Sequence, residues 1–158
     1  MKKYEFTGET KQINLLFRTA TLHRIRAVVE FGLVKIGDLG GWIEKEENLS
    51  HDGKAWVWGN AKVWGNAEVW GNAEVFSASH VLVIGAIGSR NDFTTFFRDK
   101  DGEITVKCGC FLGKIDRFLE KVASTHGNSK YALVYRAAVE VAKLQIDLTG
   151  EAPEMDEE

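Results

Sequence analysis

Proline is almost absent from this sequence. The single one, Pro153, lies in the terminal run EAPEMDEE, whose acidity and lack of bulky apolar residues predict a frayed end rather than a folded element. Cysteine is nearly as scarce: Cys108 and Cys110 stand one residue apart, too close for an easy mutual disulfide and too few for a structural zinc site. That usage suits a reducing cytosol. Positive charge is not in excess, since 20 Lys+Arg against 23 Asp+Glu give a net charge of −3, and nothing global draws the chain to the phosphates of DNA or RNA. A nucleic acid polymer is therefore not the expected partner. No run of ~18 uncharged apolar residues occurs, and the opening MKKYEFTGETK has lysines without an apolar stretch behind them, so neither a membrane span nor a secretory signal is expected. Familiar catalytic motifs are also missing: the sequence has no Walker loop, nucleophile elbow, paired histidines at metal spacing or CxxC. The expectation is a soluble intracellular protein of one domain or two small ones, with no metal, no cofactor and no catalytic residue.

What the sequence has is a repeat. Residues 57 to 74 read VWGNAKVWGNAEVWGNAE, and aligning by sixes from Val57 places an aliphatic residue at Val63, Val69, Val75, Val81 and Ile87. A small residue follows four places on, at Ala61, Ala67, Ala73, Ser79 and Gly85. A period of six fits neither a helix nor a simple strand; it belongs to solenoids, in which each rung buries its apolar residues against the next. The spacing resembles the hexapeptide repeat of left-handed β-helices, in which three hexads close one triangular coil. The Gly-Asn pairs at 59–60, 65–66 and 71–72 are the expected corners, because both residue types tolerate positive φ. Upstream, Ile43 and Leu49 keep the register, but Leu49 to Val57 is eight, which predicts a two-residue insertion near 50–53.

Trp58, Trp64 and Trp70 follow the inward valines and so point outward, one on each face of a single coil. This belt is expected to be covered by the N-terminal segment, by the C-terminal helices or by another subunit. As a ligand-stacking surface it is less suited, because three rings on different faces cannot converge on one small molecule. The three tryptophans are accordingly the candidate interface of a homo-oligomer, a dimer, trimer or larger.

The flanks read differently. Residues 1–42 alternate short strands and turns, and predict an N-terminal β cap over the end of a β-helix at 43–87. Arg24 and Arg26 share a strand face, either as a solvated pair or as an anion site. Residues 80–87 finish the solenoid or begin a strand; 93–98 and 103–108 form a hairpin about the turn 99–102. The period then changes to that of a helix at Ile115, Phe118, Leu119 and Val122, ending at Gly127, and a second helix follows from about 129 to 148. The predicted fold is mainly β with C-terminal α: a short left-handed β-helix, then a ββαα module at 88–149 and a disordered acidic tail at 150–158.

Binding chemistry gathers in the loops of that module. Arg90 offers a planar donor fork for phosphate or carboxylate, Asn91 can read an amide or a base edge, and Phe97 or Phe111 can stack on a ring. With Ser89, Asp92, Thr95 and His126 these are the candidate ligand-binding residues. The plainer readings are an ordinary polar turn at 89–92, buried small thiols at Cys108 and Cys110, and a histidine serving a helix C-terminus at His126.

The run Gly37-Asp38-Leu39-Gly40-Gly41-Trp42-Ile43-Glu44, continued through the WGNAEV hexads, resembles hexapeptide-repeat proteins common in phages and prophages. Ile87-Gly88-Ser89-Arg90-Asn91-Asp92, with Cys108-Gly109-Cys110-Phe111 and Thr125-His126-Gly127, resembles a module attached to such repeats in phage genomes. Small phage proteins of this kind include anti-defence sponges, so the resemblance implies a non-catalytic protein that sequesters a nucleotide-derived immune signal, cyclic nucleotide or ADP-ribose type, in the host bacterial cytosol. Hexapeptide β-helices are also associated with acyl-CoA-dependent acyltransferases, for which His51 and His80 would be the candidate histidines. A purely structural protein assembling through the tryptophan belt is the third expectation.

Overall fold

The computed structural model describes residues 1–149, and the acidic tail at 150–158 lies outside the described residues. The chain is mainly β with two C-terminal helices. Strands β1 (Tyr4–Asn14) and β2 (Thr19–Ala27) form a long antiparallel hairpin, and β3 (Leu39–Ile43) joins β2 antiparallel. The two arginines of β2 face carboxylates of β1: Arg26 lies 2.6 Å from Glu5, and Arg24 lies 3.8 Å from Glu9. Both guanidiniums are thus engaged with carboxylates, Arg26 in a half-exposed pair, and the more buried Arg24 also donates to the Gly40 carbonyl.

From β3 onward the chain returns in parallel upon itself. Ile43 pairs with Val63 of β5 (Lys62–Val63), Leu49 bridges Val69, and Val57 of β4 (Trp56–Val57) pairs with Val75 of β6 (Glu74–Val75). The first two returns are two residues longer than the third, because only they cross the insertion at 50–53. Ile43, Leu49, Val57, Val63, Val69 and Val75 are all buried in one cluster with Ala55, Ala61, Ala67 and Ala73. At the corners the positive φ falls on Gly59, Gly65 and Gly71, at 56°, 66° and 64°, and the neighbouring asparagines keep negative φ. The glycine is thus the corner residue and the asparagine is left to present its side chain.

Two polar groups that the sequence pattern does not announce complete this core. Asn48 is fully buried; its Nδ2 donates to the carbonyls of Gly65 at 3.1 Å and Ala67 at 3.0 Å, and its Oδ1 accepts from the Lys45 amide. Lys3, only 2% exposed, donates through Nζ to the Ala55 carbonyl at 2.6 Å and stands over the Phe31 ring. Next to it Tyr4 donates to the Leu49 carbonyl at 2.6 Å and stacks on His51, closing the N-terminal strand over the repeat. The hairpin tip is tied down separately, by Arg18 donating twice to the Glu44 carboxylate, at 2.6 and 2.9 Å. That pairing holds the Glu44 carboxyl far below the usual range, at about 2.

The hexad phase outlives the parallel pairing. Val75 is buried, but Val81 and Ile87 are only partly so, and the chain turns there into an antiparallel sheet. That sheet has four strands in sequential order: β7 (Val81–Ile87), β8 (Asp92–Arg98), β9 (Ile104–Cys108) and β10 (Phe111–Lys114). The two-stranded ββαα expectation therefore gains a strand at each side. On one face the sheet carries α1 (Ile115–His126) and α2 (Lys130–Gln145), with Phe96, Val106, Phe118, Val122, Ala138 and Val139 between them. The other face meets the repeat: Phe97 is buried in the repeat's own cluster, and Thr95 Oγ1 accepts from the Glu68 amide at 3.0 Å. Among the described residues no helix is long and apolar enough to cross a membrane.

Candidate functional site

The strands and helices of the C-terminal half converge on a cleft of about 170 Å³. One wall is a single face of α1, because Phe118, Lys121, Val122, Thr125 and His126 recur at intervals of three and four. Opposite lie the turn from β7 to β8, with Ser89, Arg90 and Asp92, and the turn from β9 to β10, with Cys108 through Phe111. Tyr135 of α2 forms the floor.

Its geometry is set by aromatic contacts. The Phe118 ring lies 5.5 Å from Phe111 and 5.7 Å from Tyr135, the latter edge-on at 89°, and His126 stacks on Tyr135 at 5.7 Å. Gly88, at φ 77°, passes so close to the floor that a Cβ there would stand 1.9 Å from the Tyr135 hydroxyl. Burial first, and the neighbouring Cys108 second, push the Tyr135 hydroxyl above its ordinary pKa. The Cys108 thiol accepts from Thr94 Oγ1 at 3.4 Å. Two basic side chains, Arg90 and Lys121, line the cleft together with His126, and Asp92 is its one carboxylate.

Five of the residues singled out from sequence meet here: Ser89, Arg90, Asp92, Phe111 and His126. Three do not. Asn91 occupies the turn with φ 47°, its amide donating to the Gly88 carbonyl, and is not part of the lining. Thr95 and Phe97 fall on the other face of β8, against the repeat, since successive strand residues point to opposite sides. Sequence reasoning missed Phe118, Lys121 and Tyr135; the helical spacing of the first two with His126 was available as a signal, whereas Tyr135 needed the packing of α2.

Each tryptophan of the belt is partly buried within the chain. Trp58 packs 5.7 Å from Phe76, and Trp70 lies under the Lys107 ammonium at 4.7 Å. Trp64 lines a separate cavity of about 320 Å³ with Val81, Val83 and Phe93. The two histidines considered for acyl transfer are engaged elsewhere: His51 Nδ1 accepts from the Lys3 amide and His80 Nδ1 from the Phe76 amide, both at 3.0 Å. Burial and the nearby Arg98 guanidinium hold the His80 imidazole below its ordinary pKa. Asp99, Asp101 and Glu103 also converge within 4.8 Å, but the Lys114 ammonium sits among them, 3.3 Å from Asp99 and 2.8 Å from Asp101. It takes the place a cation would need.

Neither protein-family models nor curated proteins give a match to this chain. The functional reading rests on the cleft itself.

Proposed function

We propose that the chain is a non-catalytic binder that sequesters a nucleotide-derived signal, acting in the host cytosol as a phage-encoded protein of the hexapeptide-repeat kind it resembles. The observation that carries this reading is the convergence of Arg90, Lys121 and His126 on a cleft walled by Phe111, Phe118 and Tyr135. Guanidinium and ammonium groups supply charge-assisted bonds to phosphate oxygens, and the partly exposed Phe111 ring supplies a face for a base over the buried Phe118 and Tyr135. The Tyr135 hydroxyl at the floor adds a hydrogen-bonding group without negative charge.

The parallel returns at residues 43, 49 and 57 support a further part of the proposal, that 43–75 is a short left-handed β-helix serving as frame. Self-association belongs to Trp64 in this reading, the belt member left beside an open cavity.

A thermal-shift panel of the full chain against cyclic di- and trinucleotides, ADP-ribose and its cyclic isomers, and acyl-CoA tests the function. A nucleotide present at ~100 times its Kd should stabilise the fold by about 2.7 kcal/mol. Arg90→Ala should lose that shift while its ligand-free Tm stays within about 2 °C of the parent. Silence across the nucleotides, or a shift that survives Arg90→Ala undiminished, contradicts the proposal.

A further inference from the structure

The cleft alone is small for the ligand it is read to hold. At about 170 Å³ it lies below the ~300 Å³ at which ligand pockets ordinarily begin. A second cavity of about 440 Å³ adjoins it on the side of the repeat, and Asp92 and Gly109 line both. The two lobes therefore meet at a rim formed by the ends of β8 and β9.

Their polar groups differ in sign. The first lobe offers Arg90, Lys121 and His126, which suit phosphate. The second is lined by the carboxylates Glu47, Glu68 and Asp92 with the amide of Asn66 and one ammonium, Lys45, a set that accepts hydrogen bonds from hydroxyl groups. Arg90 stands at the rim, since a Cβ added to Gly109 would come 3.3 Å from its Nη1. Lys107 braces the same rim from the repeat side: its Nζ bonds the Gly109 carbonyl and lies 3.3 Å from Glu68. Asn66 and Glu47 are exposed side chains on the wall of this lobe, so their polar atoms can reach a ligand.

Resting on the reading of the cleft as a nucleotide site, we infer that the ligand is a nucleoside diphosphate carrying a second ribose, bent across the Asp92–Gly109 rim. The base lies among Phe111, Phe118 and Tyr135, the diphosphate crosses at Arg90, and the hydroxyls of the far ribose meet Asn66, Glu47 and Glu68. A mononucleotide fills only the first lobe. A cyclic dinucleotide brings a second base to a lobe whose one aromatic side chain is Phe93. The repeat then contributes to recognition through a corner asparagine, beyond its part in the frame.

Isothermal titration of the full chain with ADP-ribose, AMP and cyclic di-AMP reads this directly. ADP-ribose should bind about tenfold or more tightly than AMP, a difference of about 1.4 kcal/mol. Asn66→Ala and Glu47→Gln, both exposed and outside the core, should weaken ADP-ribose several-fold and leave AMP unchanged, whereas Arg90→Ala should weaken both. Equal affinity for ADP-ribose and AMP, or an Asn66→Ala variant with unaltered ADP-ribose binding, overturns the two-lobed ligand and leaves the nucleotide site standing. Tighter binding of cyclic di-AMP than ADP-ribose overturns the ligand class. If the parent binds none of the three, the nucleotide reading falls and this inference with it.

Discussion

The repeat and the sheet-and-helix half solve the problem of burial in different ways. In the repeat, the inward positions are a few aliphatic residues of similar size, Ile43, Leu49 and the four valines, stacked with alanines between. The second half fills its core with rings set edge to face, Phe96, Phe118 and Tyr135 among them, and rings packed this way between a sheet and two helices leave a gap where the loops meet. A regular core makes a frame, and an irregular one makes a site. The cations that suit phosphate accordingly sit on the loops and on α1 of the second half, beside a sheet whose other face rests on the repeat.

If that division of labour is right, substitutions at the inward positions of the repeat should cost stability and spare the binding chemistry of the cleft, and substitutions in the cleft should do the reverse. The largest effect is expected from Leu49→Ala, which empties a fully buried position against Val69 and should lower unfolding free energy by about 2–5 kcal/mol in guanidinium titration. A loss under about 1 kcal/mol would show the repeat to be loosely packed. Next is Asn48→Ala, which leaves the Gly65 and Ala67 carbonyls without their side-chain donor and should cost about 1–3 kcal/mol. Arg90→Ala, on an exposed turn, should change stability by no more than about 0.5 kcal/mol.

A separate expectation concerns pH and Lys3. Burial pulls this ammonium down to about 8 from 10.5, opposed in part by Asp52. Because the folded-state value is the lower one, the cost of burying the charge is present in full below about pH 8. Between about 8 and 10.5 the unfolded chain binds more protons than the folded one, so stability should rise with pH through that window. Denaturation midpoints measured at successive pH values should show this alkaline rise in the parent and lose it in Lys3→Met. A parent whose stability is flat across the window would mean that the amine is hydrated rather than buried.

Much of the frame was legible in the sequence because the repeat states the same physical requirement several times over. The inward register from Ile43 to Val75, and the insertion at 50–53, follow from counting residues. The end of the repeat did not, because Val81 and Ile87 keep the six-residue phase after their backbone partners have changed to β8. The first helix was readable from its period and from Gly127, and the second, expected over about 129–148, spans Lys130–Gln145. In the cleft, the polar turn at 89–92 and the Cys108–Phe111 turn stand out locally by composition. Thr95 and Phe97 were misplaced for want of one fact, which face of β8 looks toward the helices, and a strand buried on both sides gives no alternation from which to read it. Asn48 and Lys3 look like surface residues in sequence, and only the packing of distant strands over them makes them core.

Hydrogen exchange of the full chain with and without saturating ADP-ribose tests the central claim most directly, since it reports on frame and cleft in one experiment. The account predicts that protection rises most at residues 88–92, 108–111 and 121–126, with a smaller gain at the 65–68 corner. Protection confined to the tryptophan hexads at 57–75, with the cleft unchanged, would contradict it.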